Sequence, residues 1–187
     1  MKDISYALGL SIASNLKNSG VEALDIEHFT QGLNAIINNE EIRMSPDQVN
    51  QILNDFFEGM QKKAEGNNSE TGKAFLAENK NKPGVVETAS GLQYQIITEG
   101  TGPKPTAKNQ VKVHYTGTLI DGTVFDGSVS RGEPATFGVT QVISGWVEGL
   151  QLMPKGSKYK FFIPSNLAYG PQGAGKAIGP NATLIFE

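Results

Sequence analysis

The sequence contains no cysteine, two histidines and a single tryptophan among its 187 residues. Without Cys there is no disulfide framework, no thiol catalysis and no Cys-ligated metal site. Two His leave little for a transition-metal centre. The lack of Cys does not fix the compartment, because such a chain is at home in cytosol or periplasm. No run of about 18 apolar residues is present, so no membrane span is expected. The uncharged stretch from Ile4 to Leu16 contains Ser5, Ser11, Ser14 and Asn15, follows Asp3, and makes a poor signal peptide. Because Met1 opens directly on mature-looking sequence, a cytoplasmic setting is expected. The alternative is a periplasmic protein whose export signal was removed. A net charge of −3 and a pI near 5.5 argue against a general nucleic-acid binder. Hydrophobic residues at 38% and charged residues at 19% fit a globular chain.

Composition shifts along the chain. Residues 1–80 hold 6 of the 22 Gly and 1 of the 9 Pro, and their net charge is −5. Residues 81–187 hold the remaining 16 Gly and 8 Pro, and their net charge is +2. Gly and Pro punctuate turns, so the second part reads as strands and turns and the first as helices. The change falls near Asn79-Lys80-Asn81-Lys82-Pro83-Gly84. Ile4, Leu8, Ile12 and Leu16 recur every four residues, with Gly20 as a stop signal. Asp25 can cap a helix carrying Phe29, Leu33, Ile36 and Ile37. Ser45-Pro46-Asp47-Gln48 is a strong start signal for a third helix. Its apolar face begins at Val49, Ile52, Leu53, Phe56, Phe57 and Met60. The sequence allows it to run on through Lys62-Lys63 to Phe75-Leu76, with Gly66-Asn67-Asn68-Ser69 as a weak stretch where it could break or kink. Three helices and about 60 residues make a thin core. Pairing with a second copy is therefore expected, against the blander reading of a monomer whose helices dock on the second part.

In the second part, Leu92 to Ile97, Val111 to Tyr115, Ser157 to Pro164 and Ala182 to Phe186 read as strands. Asp121-Gly122 marks a hairpin, and a short helix fits Trp146 to Leu152. His114 shares a face with Lys112 and is expected to meet solvent. No G-x-S-x-G, P-loop or HExxH pattern is present. Gly100-Thr101-Gly102 is only a loop fragment, and the acids of this part are scattered. An enzyme built from this inventory would need no nucleophile, metal or cofactor. Rotation about an X-Pro bond meets that condition, because its barrier of ~18–20 kcal/mol arises from amide resonance and no covalent bond breaks. A water-poor aromatic pocket favours the less polar, twisted amide. Tyr115, Phe125, Asp126, Val142, Ile143, Trp146, Tyr169 and Phe186 could supply one.

These residues lie in motifs. Val113-His114-Tyr115-Thr116-Gly117 comes first, followed by Gly122-Thr123-Val124-Phe125-Asp126-Gly127-Ser128 and Gln141-Val142-Ile143-Ser144-Gly145-Trp146. Gly149 to Met153, Ala168-Tyr169-Gly170 and Pro180 to Phe186 complete the series. Taken in order from about Gly91 onward, they resemble an FKBP-type peptidyl-prolyl cis-trans isomerase domain. The first part, with Ser5 to Ala13 and a long third helix, resembles the dimerisation module of the bacterial Mip/FkpA/FklB-like members.

The resemblance implies an α+β protein: a helical dimerisation domain over 1–60, a linker and long helix over 61–83, and an isomerase domain over 84–187. The last would be an antiparallel half-barrel sheet wrapped around a short helix. Trp146 would form the pocket floor, and Phe125, Tyr115 and Phe186 its walls, with Val142 and Ile143 at the border. The Ile143 N–H and the Tyr169 hydroxyl would meet substrate carbonyls. Asp126 would accept a hydrogen bond, and Ile178 would lie in a flap over the mouth. Tyr115, Asp126 and Tyr169 are thus the catalytic candidates. The implied partners are proline-containing unfolded or partly folded polypeptides, macrolide inhibitors and a second copy of the chain, with no nucleic acid. One alternative is a dimeric peptide-holding chaperone with incidental isomerisation, and another is a macrolide-binding protein without catalysis.

Alternation sets Phe125 and Asp126 on opposite faces, so sharing one pocket requires the strand to bulge or bend beside Gly127. Gly145 is expected to give backbone freedom where strand becomes helix. Ala135 stands where single-domain members commonly carry a pocket Phe, which predicts a wider wall. The flap has four Gly among residues 170–179 and should be adaptable. The family's last strand usually runs past the equivalent of Glu187, so a truncated end is expected.

Overall fold

A computed structural model describes residues 1–21 and 23–187. The chain divides into two compact units, Met1–Gln61 and Lys62–Glu187.

The first unit contains α1 (Lys2–Asn18), α2 (Ile26–Ile37) and the opening turns of α3 (Pro46–Asn79). Its start and stop signals act as the sequence predicts. The Asp25 carboxylate accepts the His28 N–H at 3.1 Å, capping α2. A reciprocal capping box opens α3: the Gln48 N–H donates to Ser45 Oγ at 3.3 Å and the Ser45 N–H to Gln48 Oε1 at 2.9 Å. Gly20 follows α1 at φ +84°, a left-handed conformation that suits glycine. Much apolar surface stays uncovered. No residue of α1 or α2 is buried, and Leu8 is 58% exposed, Ile36 67% and Phe56 45%.

The second unit contains residues 62–79 of α3, two sheets and α4 (Ser144–Leu152). The strands are β1 (Val85–Glu87), β2 (Gln93–Thr98), β3 (Gln110–Val113), β4 (Thr116–Leu119), β5 (Val124–Gly127), β6 (Ala135–Gly138), β7 (Lys158–Ile163) and β8 (Leu184–Phe186). Six of them form one antiparallel sheet in the order β1-β2-β7-β8-β4-β5. The Asp121-Gly122 turn joins β4 to β5, with Gly122 at φ +88° and the Thr123 N–H held by Asp121 Oδ1 at 2.8 Å. The run from Val111 onward does not stay in this sheet. β3 pairs with β6 as a separate ribbon, Val111 opposite Phe137. The chain is diverted between β3 and β4 because the Tyr115 N–H donates to the buried Ser128 Oγ at 2.8 Å. Leu92, Val139, Ile163 and Leu184 are fully buried at the centre.

α4 lies against β7 through two small residues. A Cβ on Gly149 would stand 2.6 Å from Phe161 Cε1, and one on Gly145 would meet the Ile163 side chain. Gly145 does not have a positive φ. It is required for close approach and not, as the sequence suggested, for backbone freedom.

α3 runs on past Phe75-Leu76 as one long helix, but without the break that its weak middle allowed. It runs unbroken for 34 residues through Gly66-Asn67-Asn68-Ser69. The reason is one stripe at helical spacing that meets the rest of the second unit. Glu65 reaches Asn181, Asn68 reaches Pro180, and Gly72 sits on Thr183. Phe75 contacts Phe162 with ring centroids 6.0 Å apart. The buried Asn79 donates to Gln93 Oε1 at 2.9 Å, while Gln93 Nε2 donates to the Leu76 carbonyl at 2.9 Å. Tertiary anchoring overrides the weak propensity of this segment. No helix among the described residues is long and apolar enough to cross a membrane.

The two glycines of this helix should respond oppositely to alanine. Nothing lies within 4 Å of a Cβ on Gly66, so Gly66→Ala should raise stability by up to about 1 kcal/mol through helix propensity. A Cβ on Gly72 would stand 3.3 Å from Thr183 Cβ, with Oγ1 closer still, so Gly72→Ala should destabilise by about 1–3 kcal/mol. Thermal melts of the two variants check the pair.

Candidate active site

All nine residues singled out in the sequence line one open cleft of about 490 Å³. They are Tyr115, Phe125, Asp126, Val142, Ile143, Trp146, Tyr169, Ile178 and Phe186. Trp146 sits in the first turn of α4, lowered onto the sheet by the Gly145 and Gly149 contacts, and is 7% exposed. Three rings stand edge-on around it: Phe186 at 5.1 Å, Tyr115 at 5.2 Å and Phe137 at 5.6 Å between centroids, with interplanar angles of 79–89°. Such edge-to-face packing suits aromatic quadrupoles. Phe125 continues the wall, edge-on to Phe186 at 5.4 Å. The two rings close over Gly117, where a Cβ would come within 2.6 Å of Phe125 Cζ and 2.8 Å of Phe186 Cε1.

Of the bulge or bend that the alternation demanded, a bulge is present. Gly117 pairs with Asp126, but Thr118 pairs with Val124. Phe125 is thus an extra residue on β5, and the local kink lets it line the same cleft as Asp126.

Asp126 anchors the polar side. Its Oδ2 accepts the Tyr115 hydroxyl at 2.5 Å, and its Oδ1 accepts the Gly127 N–H at 2.8 Å and Arg131 Nη1 at 2.7 Å. The Tyr115 hydroxyl, and then Arg131 and the Gly127 N–H, hold the carboxyl below its usual 3.8, outweighing the upward push of burial. Burial first, and then the Asp126 carboxylate, push the Tyr115 phenol above its usual 10.0. Near neutral pH the pair is therefore a carboxylate holding an intact phenol.

Arg131 was not among the sequence candidates. Its Nη2 donates to the Tyr115 hydroxyl at 3.0 Å, and its guanidinium lies 5.8 Å from the centre of the Tyr115 ring. It completes a three-residue network. Phe137 was also missed. Ala135 and Phe137 are two apart on β6 and share a face. Phe137, and not Ala135, lines the cleft, so the strand contributes one aromatic wall from position 137 and no side chain from position 135.

Two donors face the cleft unused. Neither the Ile143 N–H, at the start of α4, nor the 41% exposed Tyr169 hydroxyl has a hydrogen-bond partner among the described residues. The Trp146 indole N–H is buried and likewise unpartnered among them. Residues 170–181 form the flap. Ala174 and Ile178 bridge each other as a small hairpin, and Ile178, 8% exposed, closes one side of the cleft.

His114 is exposed, as expected, and bonds Ser128 Oγ at 3.3 Å without entering the cleft. Among the described residues no cluster of His, Cys, Asp or Glu could hold a metal ion. A larger hollow of about 1000 Å³ lies between β3 and the start of β7. Its walls mix prolines and lysines with Val111, Val113, Leu150 and Met153, it shares Tyr115 with the smaller cleft, and its buried Tyr159 is committed to Glu99 at 2.9 Å, with burial first and then Glu99 pushing its phenol up to about 12. The aromatic cage and its paired acid and phenol belong to the smaller cleft.

Comparison with known proteins gives the same direction. Residues 102–187 match the family model described as FKBP-type peptidyl-prolyl cis-trans isomerase. Residues 1–96 match the model for the domain amino-terminal to such isomerases. A probable FKBP-type isomerase, FkpA, of Neisseria meningitidis is 47% identical over all of this chain and 72% of its own length. The outer membrane protein MIP of Legionella longbeachae is 45% identical over 98% of this chain and 82% of its own. The crystal structure of FkpA from Escherichia coli superposes with a TM-score of 0.73 at 34% identity, covering 98% of this chain and 92% of that one. With the same family found in both parts, in relatives that match along nearly the whole of this chain and in the fold, the chain belongs to the FKBP-type peptidyl-prolyl cis-trans isomerases.

Proposed function

We propose that this isomerase rotates X-Pro bonds in the cleft around Trp146, and that Tyr115, Asp126 and Tyr169 are its catalytic groups. The observation that carries the assignment is the aromatic box beside a carboxylate–phenol–guanidinium network, with two free donors at its rim. The prolyl ring seats on Trp146 between Tyr115, Phe125, Phe137 and Phe186. Val142 and Ile143 border it, and Ile178 covers it. The reacting amide then lies in a poorly hydrated space. Loss of amide resonance on twisting lowers the polarity of the bond, so a surface without competing water favours the twisted state over the planar one. The Ile143 N–H and the Tyr169 hydroxyl hold neighbouring carbonyls of the peptide, which fixes the chain while one bond turns. Asp126 acts through its field and by orienting Tyr115. No covalent step is required, and the chemistry needs no cofactor.

The substrate is a proline-containing unfolded or partly folded polypeptide. The mouth is open and its flap is rich in glycine, which supports broad acceptance. Phe137 keeps an aromatic wall on β6, which supports macrolide binding in the same cleft. The relatives are named as isomerases, which favours catalysis over a purely holding role. The exposed apolar faces of α1 and α2, exceeding what a monomer normally leaves open, support a homodimer formed through the first unit. The name of the Legionella longbeachae relative, an outer membrane protein, supports the periplasmic alternative of the two compartments.

Tyr115→Phe and Asp126→Ala should each lower kcat/KM for a short proline peptide roughly tenfold, or about 1.4 kcal/mol of transition-state stabilisation. Full activity in both variants would sink the assignment. The pH profile follows from the two shifts. A depressed Asp126 contributes fully above the usual carboxylate value and is lost only as pH falls through its lowered pKa. Tyr115 stays protonated past its usual 10.0. The kcat/KM profile should therefore be flat from about pH 5 to 9, with no limb near the ordinary histidine value of about 6.5. In sedimentation, the chain should run at twice its 20.0 kDa mass. A monomeric mass at micromolar concentration would remove the dimer.

A further inference from the structure

The flap over the cleft is tied down by α3 as well as by its own bonds. Its neck is closed by the Asn181 N–H donating to the Gly170 carbonyl at 2.8 Å. Its tip is closed by the Ala174 N–H to Ile178 O at 2.8 Å and the Ile178 N–H to Ala174 O at 3.2 Å. Between tip and neck runs Gly179-Pro180-Asn181, which makes no contact with the sheet through a regular ladder. This stretch carries the strained point of the loop, Asn181 at φ +55°. Left to those bonds alone, a loop with Gly170, Gly173 and Gly175 all at positive φ has few constraints on where Ile178 sits.

Asn68 supplies one. Its Nδ2 donates to the Pro180 carbonyl at 2.8 Å from 112 positions away in the chain. Pro180 lies two residues after Ile178. The same amide nitrogen would be 3.0 Å from a Cβ on Gly179, so a methyl group there would press the Asn68 amide aside by a few tenths of an ångström. One turn earlier, Glu65 Oε1 accepts from Asn181 Nδ2 at 3.4 Å, a longer and weaker contact. One turn later, Gly72 rests on the buried Thr183. Successive turns of one helix face therefore meet 179–183 in register, and Asn68 makes the shortest bond.

We infer that Asn68 is a positioning residue for the isomerase site: by holding Pro180 it sets where Ile178 closes on the prolyl ring. The inference rests on the cleft assignment given above. Ile178 touches substrate before and during rotation alike, so loosening it weakens binding more than it slows the turning step. The carbonyl of Pro180 needs a donor, and only the amide form of residue 68 provides one. Aspartate has the same shape but offers an acceptor to an acceptor.

The test compares Asn68→Ala and Asn68→Asp with Asn67→Ala, whose side chain is exposed and off the stripe. A short proline peptide is the substrate. Amide exchange of residues 174–179 is followed in the free protein, where it reports on the tether independently of catalysis. Both Asn68 variants should speed flap exchange and raise KM by roughly three- to tenfold, with kcat within about twofold, because a lone hydrogen bond is worth that much. Aspartate should be the worse of the two, and Asn67→Ala should match the parent. Unchanged exchange in both variants overturns the tether. Faster exchange with an unchanged KM overturns the link from tether to site. Should Asn68→Asp fail to fold, Asn68→Ala decides alone. A parent chain with no isomerase activity would instead count against the cleft assignment, while the exchange arm still judges the tether.

Discussion

The pocket depends on how closely α4 can approach β7. Gly145 and Gly149 stand one turn apart on the face that meets Ile163 and Phe161, and neither leaves room for a methyl group. Trp146 follows directly from the first of them. The depth of the helix therefore fixes the depth of the indole, and the indole is the surface around which Tyr115, Phe137 and Phe186 stand on edge. A bulkier residue at either glycine would lift the floor and spread the walls together. In a core packed at crystal-like density such a shift has nowhere to be absorbed.

A second set of constraints places the polar edge against that floor. The extra residue at Phe125 turns two neighbours of one strand toward the same cleft. This puts a hydrocarbon ring and a carboxylate side by side without a second strand. The carboxylate is held in place, still ionised, by hydrogen bonds from Tyr115, Arg131 and the Gly127 N–H. A charge held this way costs less to keep at the rim of an apolar site than a bare one. An apolar floor and a fixed carboxylate thereby share one cleft.

The pocket was largely legible in the sequence because aromatic residues in ordered motifs are rare and specific. All nine residues read from those motifs meet at one place. Alternation even exposed the conflict between Phe125 and Asp126, which a bulge resolves. Arg131 was not legible: it lies in a Ser- and Gly-rich stretch where an Arg reads as a solvated charge, and only folding brings it across Tyr115. Phe137 carried a usable signal, since it shares a face with Ala135 and is two residues further along β6. The stripe of Glu65, Asn68, Gly72 and Asn79 was illegible for a deeper reason. Hydrophobic periodicity finds faces that bury carbon, and apart from Phe75 this face is held by polar side chains and by the absence of one at Gly72. The same gap explains why the break allowed at Gly66 to Ser69 is not found.

That stripe also moves the place where the chain could be divided. Composition changes at Pro83-Gly84, and a gene fusion cut there would look natural. It would nevertheless carry away two of the three partners of Gln93, a fully buried amide, and the cover over Thr183 and Phe162. The modular boundary lies inside a helix, near Gln61 and Lys62. A recombined descendant that kept the catalytic sheet would have to inherit half of α3 with it.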